Sequence, residues 1–309
     1  MKIYKPKFWD KKYHTFFSII LWPISFLYQI VISIKETAAS KKKFSIPVIC
    51  VGNIYLGGTG KTPLSIKIWE IFKDEKRPVV LKKNYKNHQD EIELIKKYCK
   101  ILVSDKRGDG INRAIEKNFD LVIMDDGFQD FEIVKNLNII CFNSQQGIGN
   151  GYTIPSGPLR ENLKSLKKCQ IILINGKKNL QFEDKLKIYN NKLEFFYFNY
   201  FIKNVNEFKN KKLIPFAGIG NPENFFQLLK DSHLNIVKEI NFPDHYEYKQ
   251  ADLDNLVAME NKYKAKLVTT EKDYLRISPF NRRRFEMLPI KVNIHEEKKF
   301  SQSIKKFIT

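Results

Sequence analysis

The sequence predicts an α/β chain, a parallel sheet with helices on both faces, and three observations carry that prediction. A glycine-rich run, Gly57-Gly58-Thr59-Gly60-Lys61-Thr62, lies between a strand-like apolar stretch and a helix-forming segment. Helical and strand-like patterns alternate through the middle of the chain and resume in its last third. An apolar strand ends in Asp125-Asp126-Gly127, with its carboxylates at the strand's C-terminal end. The expected organisation is an N-terminal apolar segment (residues 1–43), a core domain built around the glycine loop (44–178) and a smaller C-terminal α/β domain (179–309). The last is expected to contribute to the active-site cleft.

The N-terminal element is residues 16–34, FFSIILWPISFLYQIVISI, without a charge. Lys11, Lys12 and His14 precede it, and Lys35 and Lys41-Lys42-Lys43 follow. Its length reaches that of a transmembrane helix. Pro23, Gln29 and three serines weaken a span, and Trp22 and Tyr28 favour headgroup level. The segment reads as a membrane-associated helix in the interface, with a true span and a buried core helix as alternatives. A signal peptide cleaved near Ala38-Ala39-Ser40 is set aside, because export would separate a triphosphate site from its triphosphate.

The glycine run follows the strand-like residues 47–51 and precedes a helix over 64–73. Such a turn gathers backbone N–H groups at the positive end of a helix dipole, which holds phosphate. Gly57, Gly58, Thr59 and Gly60 form the cradle. Lys61 reaches the β/γ-phosphates and the Thr62 hydroxyl ligates Mg²⁺. The strict pattern wants a glycine at position 55, where Tyr55 stands. Pro63 falls in the first helical turn, where a missing N–H costs little. The fold class is thus a P-loop NTPase-like parallel sheet.

Further elements follow in order: a strand at 78–82, a helix at 90–98, a strand at 101–103, a helix at 110–117 and strands at 121–124, 137–142 and 170–174. Residues 177–186 read as a linker. Beyond it come strands at 195–201, 213–217, 236–240 and 266–269, with helices at 222–230 and 250–263.

Five groups of residues carry candidate chemistry. Asp125 and Asp126 have the arrangement of a Mg²⁺-holding strand end, against an ordinary strand-to-turn Asp-Gly. Asp90-Glu91 opens a helix, as caps or as a general base near phosphate. Arg160-Glu161, after Gly149-Asn150-Gly151 and Pro155-Ser156-Gly157-Pro158-Leu159, offers a phosphate contact and a metal contact, or a structured loop. Asp244-His245 is either structural or an imidazole oriented by a carboxylate. Thr269-Thr270-Glu271-Lys272-Asp273 either lines a nucleotide pocket or caps a helix.

The formal net charge is +20, from 54 Lys and Arg against 34 Asp and Glu. Such a balance attracts nucleic acid or an anionic membrane, or reflects the composition of the source genome. No nucleic-acid-binding motif is present and the N-terminus points to membrane, so no nucleic acid partner is expected. Cys50, Cys99, Cys141 and Cys169 are scattered in apolar stretches and read as reduced core residues, with nothing to suggest a zinc or disulfide framework.

These residues resemble the tetraacyldisaccharide 4′-kinase family, the lipid A 4′-kinases of Gram-negative bacteria. The matches, in the family's order, are GNIYLGGTGKTP at 52–63, DDGFQ at 125–129, GNG at 149–151, GPLRE at 157–161, Asp244-His245 and TTEKD at 269–273. The family's loop also lacks the first glycine. Three places depart. The family's Ser-Arg-Gly-Tyr-Gly is Lys82-Lys83-Asn84-Tyr85-Lys86 here, its Gly-Asp-Glu-Pro is Gln89-Asp90-Glu91-Ile92, and the histidine after its DDGFQ is Asp130.

The resemblance implies transfer of the γ-phosphoryl of ATP to the 4′-hydroxyl of a tetraacylated glucosamine disaccharide 1-phosphate, with Mg²⁺, in lipid A biosynthesis. It implies Lys61 and the loop on phosphates, Arg160 neutralising phosphate charge, and Thr62, Asp125, Asp126 and Glu161 at the metal. Asp90 would be the base, supported by His245. The partners it implies are the lipid substrate and an anionic membrane surface. The implied location is the cytoplasmic face of the bacterial inner membrane.

Overall fold

In the computed structural model, residues 6–11, 13, 15–85 and 89–308 are described. Lys12, His14 and Lys86, singled out above, lie outside the described residues. Two helices, α1 (Phe16–Ile20) and α2 (Trp22–Ala38), precede the first strand. Then follow β1 (Val48–Gly52), α3 (Lys61–Phe72), β2 (Pro78–Lys83), α4 (Gln89–Tyr98), β3 (Ile101–Ser104), α5 (Arg107–Glu116), β4 (Leu121–Asp125), β5 (Leu137–Asn143), β6 (Ile171–Asn175), α6 (Leu180–Lys187) and β7 (Glu194–Ile202). The remainder is β8 (Lys212–Ala217), α7 (Pro222–Asp231), β9 (Asn235–Ile236), β10 (Ile240–Asn241), α8 (Gln250–Tyr263), β11 (Lys266–Thr270), α9 (Glu271–Arg276), α10 (Pro279–Arg282), β12 (Glu286–Leu288), β13 (Ile290–Ile294) and α11 (Glu297–Ile308).

The chain forms two compact units. The larger holds residues 6–84, 99–199 and 294–308, and the smaller holds 89–98 and 200–293. The larger unit is organised on a sheet of order β7-β6-β5-β1-β4-β2-β3. The pairs from β3 through β7 are parallel. Every residue of β1, β4 and β5 is buried. Strands covered on both faces read as near-continuous apolar runs, and these do, apart from Asn138 and the strand-end Asp125 and Asn143. The smaller unit has its own parallel sheet, β10-β8-β11-β12 with β9 beside β8.

The division differs from the boundary expected at 178/179. Residues 180–187 form α6 instead of a linker, with the Asn179 side chain capping Phe182 N at 3.0 Å. Phe182 and Leu186 join the core that includes Ile172 and Ile174, so this helix belongs to the larger sheet. The strand expected at 236–240 is two short strands, β9 and β10.

The N-terminal segment is not one helix. It breaks at Leu21, ahead of Pro23, and no helix among the described residues is long and apolar enough to cross a membrane. Nor is it a buried core helix. Phe16, Phe17, Ile19, Trp22, Leu27 and Ile34 are all exposed, whereas Ser18 and Ser25 are buried. The polar minority faces the protein. Ser25 Oγ donates to Thr153 O and accepts from Ser156 N, both at 2.9 Å. Tyr28 OH donates to Arg160 O at 2.9 Å, and Glu36 pairs with Lys168.

Candidate active site

The phosphate loop stands at the C-terminal end of β1, the end at which parallel α/β sheets hold ligands. Gly60 caps α3 with φ +87°, a left-handed conformation that disfavours any side chain. Asn53 Nδ2 donates to the carbonyls of Tyr55 and Gly57 and shapes the turn from inside. The side chain that replaces the missing glycine has a place of its own: Tyr55 is buried and donates through its hydroxyl to Asp10 Oδ1 at 2.6 Å.

The same stretch docks the Arg160 loop. Leu56 N donates to Pro158 O and Arg160 N to Ile54 O, while Tyr55 bridges Leu159 in antiparallel fashion. Gly157 admits no side chain, since a Cβ there would meet Asn150 Oδ1 at 2.1 Å. The Gly-Asn-Gly turn is thus the structural support of the segment that carries Arg160.

Thr62, Lys61, Asp125, Asp126 and Arg160 come together at this end of the sheet. The Thr62 hydroxyl donates to Asp125 Oδ2 at 3.0 Å, and Ser65 Oγ to Asp125 Oδ1 at 3.1 Å. Arg160 Nη1 donates to both oxygens of Asp126, at 2.9 and 3.2 Å, and Lys61 Nζ lies 3.7 Å from Asp126 Oδ1. Burial alone would raise the Asp126 pKa. The charges of Lys61, Arg160 and Lys82 outweigh it and hold the group at about 2.

Glu161 is buried nearby but keeps other company. Gln129 Nε2 donates to it at 3.0 Å and Lys168 Nζ at 3.2 Å. Burial pushes its carboxyl above the usual range, against the pull of Lys168. Its link to the Asp126 cluster is indirect, through Gln129, which also faces Arg160. Asp130 has acquired a partner of its own: Arg107 Nη1 donates to it at 3.3 Å, and Arg107 Nη2 holds Asp126 O at 2.7 Å.

The donor set suits Mg²⁺, a hard ion that takes one or two protein oxygens and keeps waters and phosphates for the rest. Thr62 and Asp125 already share a hydrogen bond at the strand end, and the buried Thr59 hydroxyl has no protein partner among the described residues. Thr62 and Asp125 are the residues that would hold the ion, with Asp126 and Glu161 behind them.

In the smaller unit, Asp90 opens α4 and is buried. Arg276 on α9 donates to its Oδ2 twice, from Nε at 2.9 Å and Nη2 at 2.5 Å. Asp90 Oδ1 has no hydrogen-bond partner among the described residues. His245 Nδ1 stands 3.8 Å from Asp90 Oδ2, outside hydrogen-bond reach but within ion-pair range. Burial lowers the His245 pKa, and Lys272 and Arg276 add to it against the pull of Asp244 and Asp90.

Arg276 is in turn fixed by Asp273, whose Oδ1 accepts from Arg276 Nη1, Gly218 N and Tyr248 OH at 2.9–3.0 Å. Thr270 caps α9 through its hydroxyl and Asp273 N. The TTEKD segment therefore caps a helix and braces Asp90. Sequence reasoning did not single out Arg276 or Lys82. The spacing of Asp273 and Arg276 on one helical face was a usable sign of the first. The second depends on strand order.

The family model for LpxK, tetraacyldisaccharide-1-P 4′-kinase, matches residues 17–309. A tetraacyldisaccharide 4′-kinase of Pelagibacter ubique (strain HTCC1062) is 41% identical over 311 residues, covering 98% of each chain. That of Rickettsia canadensis (strain McKiel) is 34% identical over 301 residues, covering 91% of this chain and 90% of the relative. The crystal structure of LpxK from Aquifex aeolicus in complex with ATP superposes with TM-score 0.71 at 24% identity. It covers 94% of this chain and 99% of that one, and supports the fold. The chain belongs to the tetraacyldisaccharide-1-P 4′-kinase family.

Proposed function

We propose that the chain transfers the γ-phosphoryl group of ATP to the 4′-hydroxyl of a tetraacyldisaccharide 1-phosphate. The observation that carries the reading is the hydrogen bond from Thr62 to Asp125 beside the Lys61 loop, in a chain of this family. The loop N–H groups, Lys61 and Arg160 bind and orient the triphosphate. Thr62 and Asp125 hold Mg²⁺, which when bound supplies positive charge at the phosphate oxygens. The acceptor oxygen attacks the γ-phosphorus, the bond to the β,γ-bridging oxygen breaks, and ADP leaves. Asp90 takes the hydroxyl proton at Oδ1 while Arg276 keeps Oδ2 in place. His245, whose Nδ1 is 3.8 Å from Asp90 Oδ2, pairs with the base and raises its competence.

The acceptor's acyl chains stay in the bilayer, so the reaction belongs at its surface. The outward apolar face of α1 and α2, on a chain of charge +20, suits docking in an anionic leaflet. On this reading the enzyme works at the cytoplasmic face of the inner membrane, where ATP is. The test is transfer of label from γ-labelled ATP to the lipid acceptor in detergent micelles. Wild type should label the lipid and Lys61→Ala should not. Equal labelling by both would remove Lys61 from the site.

A further inference from the structure

We infer that Lys82 supplies part of the positive charge for the nucleotide's phosphates that would otherwise fall to the divalent ion, so that ATP binds this chain with little dependence on metal. The inference deepens the kinase reading and rests on it. Sheet register brings Lys82 to the site: β2 lies beside β4, and Lys82 pairs with Asp125 across the two strands. The side chain is 3% exposed, and its Nζ lies 2.6 Å from Asp125 Oδ2, the oxygen that also takes the Thr62 hydroxyl.

Beside that contact, Lys61 Nζ lies 3.7 Å and Arg160 Nη1 2.9 Å from Asp126 Oδ1, on the carboxylate next in the chain. Lys61, Lys82 and Arg160 thus face two carboxylates, Asp125 and Asp126, and the protein's own groups leave an excess of positive charge. Without Lys82 the four remaining charges would balance, and neutralising phosphate would rest on the metal. In a buried setting such charges act strongly across several ångströms.

The experiment is equilibrium dialysis of labelled ATP against the full chain in detergent, with EDTA or with excess Mg²⁺, for wild type, Lys82→Ser, Lys82→Met and Lys82→Arg. Wild type should bind ATP in EDTA only a few-fold more weakly than in Mg²⁺. The neutral variants should lose roughly 10- to 100-fold in EDTA, the scale of a charge-assisted contact, and much less in Mg²⁺. Lys82→Arg should restore the metal-free affinity. Equal losses in both conditions would make Lys82 a structural partner of Asp125 and overturn the inference. Wild-type binding that collapses on chelation overturns it without reference to any variant. A wild type that binds no ATP in either condition overturns the kinase reading and this inference with it.

Discussion

Arg276 grips Asp90 by one oxygen and leaves the other without a hydrogen-bond partner among the described residues. A buried carboxylate held in this way keeps its direction and presents one lone-pair edge for a proton. The residue is therefore suited to act as a base. The His245 imidazole stands 3.8 Å away, beyond the range of a hydrogen bond.

Asp90→Ala should lower kcat by about 10²- to 10⁴-fold, the usual contribution of a positioned base, with ATP affinity unchanged. Steady-state kinetics together with nucleotide binding checks both halves. Near-normal turnover would remove Asp90 from the role.

Arg276→Met leaves Asp90 buried without its partner and takes a hydrogen bond from Asp273. Breaking such a pair costs about 3–5 kcal/mol, so the unfolding midpoint and kcat should both fall. Arg276→Lys should recover part of the stability, because the charge returns without the two-pronged geometry. A Met variant as stable as wild type contradicts the clamp.

The outward face of the N-terminal helices makes a separate prediction. Leu27 and Ile34 are each 61% exposed, so Leu27→Glu and Ile34→Glu should leave the fold intact. Each side chain withdrawn from lipid is worth about 1.5–3 kcal/mol. Affinity for anionic vesicles, read by sedimentation, should therefore drop by roughly 10²- to 10⁴-fold in the double variant. Undiminished binding would move the anchor elsewhere on the molecule.

Asp126 sets a pH dependence. Its folded pKa, about 2, lies below the ordinary carboxylate value of 3.8. A depressed carboxylate contributes stability that is present above the ordinary value and lost as pH falls through the folded one. The stability advantage of wild type over Asp126→Asn should thus be full above pH 4 and shrink toward pH 2, by about 2 kcal/mol. Acid unfolding curves of the two proteins measure it. A constant difference across that window contradicts the assignment.

The glycine loop and Asp125-Asp126 were legible in sequence because both sit at strand ends and carry residue types tied to phosphate chemistry. Lys82 and Arg276 were not. The contact of Lys82 with Asp125 exists because β2 lies next to β4, and strand order does not follow from a local pattern. Arg276 meets Asp90 across 186 residues of chain. The helix α6 was hidden by a lysine-rich stretch, although Asn179 is a cap residue by type. For the N-terminal segment, the apolar content was visible. That Ser18 and Ser25 turn inward while the phenylalanines turn outward was not, since loop 153–156 supplies their partners.

The most direct measurement is the site of phosphorylation in the product formed from ATP and tetraacyldisaccharide 1-phosphate in mixed micelles, read by phosphorus NMR. Two phosphate monoesters, one at the original position and one on the 4′-oxygen, with stoichiometric ADP, are the predicted result. ADP accumulating while the lipid remains a monophosphate would contradict the account.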